Sequence, residues 1–160
     1  MQRIVIILVI CLSVLIHNLM IAQNLTTEVN LRVKHFNSDK SGITIQGYDP
    51  VNYFLGNAKV GSSSYSYKYN GVTYRFVSEK NMELFKVSPS KFEPMYGGWC
   101  AYAMGATGEK VEVDPETFKV ANGKLYLFYN AFFNNTLPKW NKDEKNLNRK
   151  ADENWIKINK

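Results

Sequence analysis

Tyr65-Ser66-Tyr67-Lys68-Tyr69-Asn70-Gly71-Val72-Thr73-Tyr74-Arg75-Phe76-Val77 is a pair of alternating runs joined by a turn dipeptide. Ring or branched side chains fall on every second residue, the period of a strand with one covered face. Asn-Gly between them tolerates the positive φ angles that a tight, correctly twisted hairpin turn needs. The stretch predicts an antiparallel β-hairpin. Ser78 then offers an N-cap for a helix from Glu79 to Lys86, with Met82 and Phe85 at helical spacing and Pro89 as its stop. Before the hairpin, Val51-Asn52-Tyr53-Phe54-Leu55 is an apolar run ended by the turn pair Gly56-Asn57. After it, residues 92–95 read as irregular chain and Gly97-Gly98 as a flexible turn. Residues 99–104 then read as a short helix closed by Gly105. Val111 with Val113, Phe118 with Val120, and residues 125–129 read as further strands, with Asn122-Gly123 as a second hairpin turn. From Ala131 the pattern is helical, with Leu137, Trp140, Leu147, Trp155 and Ile156 as packing positions. The sum is an α+β domain: a small antiparallel sheet, short helices and a C-terminal helical segment.

The chain has 160 residues and a net charge of +6. Arg3 followed by an almost unbroken Ile/Val/Leu run from Ile4 to Ile16, with the small Ala22 as a cut site, reads as a signal peptide over residues 1–22. His17 and Asn18 interrupt the run before it reaches the roughly 20 residues a spanning helix needs. The expected location is periplasmic or secreted, with no stable membrane anchor once the leader is cut. Loss of Arg3 leaves 19 Lys+Arg against 14 Asp+Glu, a net charge of +5, and loss of Cys11 and His17 leaves one cysteine and one histidine. Residues 23–42 read as a polar N-terminal arm, in which Val29, Leu31 and Val33 alternate like an edge strand. Residues 43–158 are the folded domain, large enough to bury a core without disulfides. The Lys-rich stretch Lys139–Lys150 reads as a solvated helix face, so no nucleic-acid partner is expected.

Several segments, taken in order, resemble the YHS-domain family, in particular its exported single-domain branch. They are Gly47-Tyr48-Asp49-Pro50-Val51-Asn52-Tyr53-Phe54, the hairpin at residues 69–76, Ser78 through Phe85 followed by Pro89, and Pro94-Met95-Tyr96-Gly97-Gly98-Trp99-Cys100-Ala101. Residues 113–118, 123–127 and 151–155 continue the match. The resemblance implies a compact α+β fold and, in many relatives, association with heavy metals. Metal-linked members carry cysteines where this chain has Asn52, Val77 and Asn81, so that thiolate set does not carry over. Cys100 belongs to the Gly-Gly-aromatic-Cys-Ala motif of the exported branch.

Cys100 is therefore the residue on which function turns, because an unpaired thiol in an exported protein needs a reason. In the first turn of a helix, backbone N–H groups would favour its thiolate. Met104, four residues on, would share its face and supply a second soft ligand, and His35 a third. Thiolate and thioether together suit copper(I), so Cys100, Met104 and His35 form the candidate metal site. Asp49 and Asp114 precede prolines and read first as turn residues. Tyr48, Tyr96, Trp99 and Tyr102 could instead line a small-ligand pocket beside the thiol. Two other readings stand beside metal binding. One is a single-cysteine redox role, which needs an outside thiol because no Cys-x-x-Cys exists. The other is a structural or interaction module whose cysteine is buried and inert. No residue set for catalysis emerges, and binding is the expected activity.

Overall fold

The predicted hairpin forms as β1 (Ser62–Tyr69) and β2 (Val72–Phe76), antiparallel, with Tyr69 opposite Val72 and Lys68 opposite Thr73. Asn70 and Gly71 take φ of 43° and 91°, as the turn requires. Val72, Tyr74 and Phe76 are buried on one face. There Phe85 of α2 (Glu79–Val87) meets the Tyr74 ring at 4.6 Å and the Phe76 ring at 5.3 Å. Ser78 caps α2, accepting the Asn81 N–H. Pro89 does more than stop that helix: it opens a one-turn helix, α3 (Pro89–Phe92).

The computed structural model describes residues 2–160, with side chains from residue 12 onward; Met1 and the side chains of Arg3 and Cys11 fall outside the described part. The segment read as a leader and most of the segment read as an arm form one helix, α1 (Gln2–His35), so the alternation at Val29, Leu31 and Val33 is not a strand. Among the described residues no helix is long and apolar enough to cross a membrane. Side chains 12–28 are all exposed, and cover begins at Val29. A Cβ on Gly71 would lie 2.6 Å from Val33 and 3.0 Å from Val29, so the end of α1 rides on the hairpin turn. Arg32 fixes it there. Its guanidinium pairs with the Glu93 carboxylate, its Nε donates to the Asn70 carbonyl at 3.2 Å, and it lies over the Phe36 ring at 4.2 Å. Tyr74 donates its hydroxyl to the same carboxylate. Burial, and after it the Glu93 charge, hold the Tyr74 hydroxyl well above the ordinary phenol range, so it remains a donor.

The second half begins with a helix shifted from its expected place: α4 spans Ala101–Ala106, not residues 99–104. Gly105 lies inside it, because a Cβ there would sit 2.5 Å from the Leu147 carbonyl of the crossing helix α6 (Glu144–Ile158). Strands β3 (Asp114–Ala121) and β4 (Lys124–Phe128) pair antiparallel around the Asn122-Gly123 turn. Val111 lies outside any strand. Instead of helix from Ala131, a further hairpin follows, β5 (Asn130–Ala131) with β6 (Asn134–Asn135), before α5 (Leu137–Lys142) begins. The fold is α+β; among the described residues the strands lie in three two-stranded antiparallel sheets, with a helix at the C-terminus.

Two apolar clusters form the core. One joins the first hairpin, α2 and the inner face of β4, and includes Phe85, Cys100 and Leu127. The other joins α4, α5 and α6 around Trp140, with Met104, Tyr126, Phe128 and Ala151. Leu137 and Trp155 pack on this second cluster as predicted, whereas Ile156 faces solvent.

Candidate functional site

Cys100 is held by the backbone that precedes it. Tyr96, Gly97 and Gly98 all take positive φ (56°, 60° and 88°), turning the chain sharply before Trp99. Gly97 needs its missing side chain: a Cβ would lie 2.8 Å from the Trp155 ring and 3.1 Å from the Phe36 backbone. Trp99 donates its indole N–H to the His35 carbonyl at 2.7 Å. Cys100 donates its N–H to the Val111 carbonyl and accepts the Met104 N–H at its own carbonyl, both at 3.0 Å. It is thus the N-cap of α4 and lies outside the first turn, where the sequence placed it.

The sulfur is fully buried, at 0% exposure, and sits in a closed ring of hydrogen bonds. The Tyr129 backbone N–H donates to Sγ at 3.3 Å. Thr136 Oγ1 lies 3.5 Å from Sγ and donates its one hydroxyl proton to the Tyr129 carbonyl at 2.9 Å. A hydroxyl has one proton to give, so the thiol is the donor to Thr136 and the ring closes with a neutral S–H. Beside it lies a cavity of about 260 Å³, lined by Cys100, Tyr102, Ala103, Val111, Tyr129 and Thr136 among others. Its walls are mainly apolar, with a few convergent polar groups, the usual make-up of a small-ligand site. It is smaller than the roughly 300–1,000 Å³ of drug-sized sites, which restricts it to a small occupant.

The other predicted ligands lie elsewhere. Met104 is buried in the second cluster around Trp140, whereas Cys100 belongs to the first. His35 ends α1 and turns Nδ1 to Lys110 Nζ at 2.9 Å, leaving Nε2 buried without a partner. The lysine has only protons to offer, so Nδ1 accepts and the buried Nε2 carries the imidazole proton. Among the described residues no group of three or more His, Cys, Asp and Glu side chains is placed to hold a metal ion. Asp49 is a buried structural carboxylate: it accepts from the Val51, Asn52 and Val77 N–H groups and from the Asn81 amide. Asp114 does the same work at the start of β3, accepting from Glu116 N and Thr117 Oγ1. Of the four predicted pocket aromatics, Tyr102 lines the cavity. Tyr48 bonds Glu116, Tyr96 bonds Asp152, and Trp99 bonds His35. Tyr129 and Thr136 were missed, since no local pattern marks a residue that meets Cys100 from about thirty positions away.

Burial, then the charges of Lys110 and Lys34, lower the pKa of His35 from 6.5. As pH falls, the unfolded chain takes up this proton first, so the stability His35 contributes is complete above about pH 6.5 and is lost as pH drops through the lowered folded value. Thermal unfolding of His35→Phe should therefore be flatter between pH 7.5 and 5.5 than that of the wild type. Parallel slopes in the two proteins would remove His35 as the source. Compared with family models, curated proteins and solved structures, the chain has no match in any of the three.

Proposed function

We propose that the protein is an exported, YHS-like binding module rather than an enzyme, and that it takes a small ligand in the cavity beside Cys100. The observation that carries this reading is a small, mainly apolar cavity lined in part by Cys100, Tyr129 and Thr136, the residues of the hydrogen-bond ring. A ligand with one apolar ring or short chain and one polar atom matches that lining. Export fits an α1 whose side chains 12–28 touch little, with cover beginning only after the proposed cut at Ala22. A redox role is disfavoured because a buried thiol in apolar surroundings is a poor nucleophile.

Copper(I) at Cys100 is the second reading. What favours it is the freedom of the Thr136 hydroxyl. If the thiol lost its proton, that hydroxyl could turn onto the sulfur, because the Tyr129 carbonyl keeps the Thr136 N–H at 3.0 Å. With Met104 in the other cluster and His35 on Lys110, the ion's remaining ligand would be a small molecule in the cavity. One experiment tests both ligand classes. The full chain carrying Cys11→Ser is titrated with phenol, and anaerobically with copper(I), while the backbone amide signals of Cys100, Ala103 and Tyr129 are followed.

A further inference from the structure

Among the described residues, three hairpins turn on two residues with positive φ. Two of them use Asn-Gly: Asn70-Gly71 (43° and 91°) and Asn122-Gly123 (52° and 72°). The third, between β5 and β6, uses Phe132-Phe133 at 50° and 61°. A bulky side chain is strained in this left-handed region, where Asn and Gly are at ease. Neither ring repays that strain by packing, since Phe132 is 91% exposed and Phe133 is fully exposed. Strain held by the surrounding structure, with two aromatic rings aimed at solvent, is the mark of a functional tip rather than a structural one.

We propose that the Phe132-Phe133 tip is a membrane-docking wedge that inserts into the interface of an anionic phospholipid surface. Size separates this occupant from a protein. Two phenylalanines offer about 150–250 Å² each, far below the roughly 800 Å² per partner of a stable protein interface. Their neighbours Asn130, Asn134, Asn135, Pro138 and Lys139 are exposed and almost all polar, so the fully exposed apolar surface here is the two rings. A fluid bilayer needs no complementary groove and accepts such a protrusion. Charge points the same way. From Thr117 to Lys142 the chain carries four lysines and no acidic residue. Lys119 is paired with Glu144, but Lys139 is tied to the hairpin itself, 2.7 Å from Asn134 Oδ1, and Lys142 follows on α5. The Asp114 carboxylate accepts from Asn130 at the base of the hairpin, so Lys139 is the basic group beside the tip. Apolar insertion beside a basic group combines the two signals of reversible membrane attachment. The β5–β6 hairpin also borders the Cys100 cavity through Asn134 and Thr136, so docking would bring that cavity's mouth to the lipid surface.

The test compares the full wild-type chain with F132N/F133G, which gives this turn the residues of the other two. That variant should unfold at an equal or higher temperature, so loss of binding cannot be loss of fold. Partition onto phosphatidylglycerol–phosphatidylcholine vesicles at low salt should fall at least about tenfold. The apolar residues of α1 are common to both proteins and cancel in the comparison. Phe133→Trp should show emission, beyond that of the wild type, that vesicles with brominated acyl chains quench. Equal partition of wild type and F132N/F133G, or unquenched Phe133→Trp emission on bound protein, would overturn the proposal. So would a vesicle-free, concentration-dependent dimer that F132N/F133G abolishes.

Discussion

Glu93→Ala should lower the unfolding free energy by about 3–5 kcal/mol, the usual cost of leaving a buried charge without its partner. Arg32 and Glu93 side chains are only 10% and 14% exposed, and the guanidinium spans Phe36, Tyr69 and the Asn70 carbonyl. Removing the carboxylate strands the Arg32 cation and leaves the buried Tyr74 hydroxyl without its acceptor. Urea unfolding should show a lower midpoint at unchanged slope. An apolar replacement of both partners, Arg32→Met with Glu93→Met, should recover most of the loss. A Glu93→Ala cost below about 1 kcal/mol would mean that the pair behaves as a solvated surface bridge, and that the end of α1 is not part of the folded domain.

Gly97→Ala should cost about 2–5 kcal/mol, because two penalties meet at one atom. A left-handed φ costs an L-residue roughly 1–2 kcal/mol, and forcing a methyl into a filled site about 1–3 kcal/mol more. The methyl would strike Trp155 of α6 on one side and the Phe36 backbone on the other, and the backbone cannot yield as a side chain can. Gly123→Ala is the control: its φ is 72° but nothing lies within 4 Å of the added carbon, so the backbone penalty stands alone. Similar losses for the two variants would show that close packing at Gly97 contributes little. Because Gly97 sets the turn into Trp99 and Cys100, its substitution should also weaken ligand binding in the cavity.

The pattern of what could be read from sequence follows from how local each signal is. The two Asn-Gly hairpins and the Ser78-capped helix were legible because turn chemistry and side-chain period act over a few residues. The Phe132-Phe133 turn was not, since nothing about two phenylalanines predicts left-handed backbone. Gly105 looked like a helix stop; its real reason, the approach of Leu147, lies some forty residues away. At the site, the Gly-Gly turn before Cys100 was legible in the sequence, and both glycines take positive φ. The environment of Cys100 was illegible, because Tyr129 and Thr136 reach the sulfur only through the fold of β4 and the hairpin after it. Helical spacing put Met104 on Cys100's face, whereas Cys100 is the N-cap of α4 and the two side chains belong to different clusters.

The most direct measurement of the central claim is the phenol and copper(I) titration of the Cys11→Ser chain beside the same chain with Ala103→Phe, which fills the cavity wall. The first chain should show saturable shifts of the Cys100, Ala103 and Tyr129 amides with phenol, at a Kd of about millimolar as befits so small a probe. The shifts should be lost in Ala103→Phe. Copper(I) moving the same amides, with the effect abolished by Cys100→Ala, would assign the cavity to the soft ion. Absence of saturable shifts with either probe, or identical shifts in the filled variant, would rule out a ligand site in the cavity and leave Cys100 as a buried structural thiol.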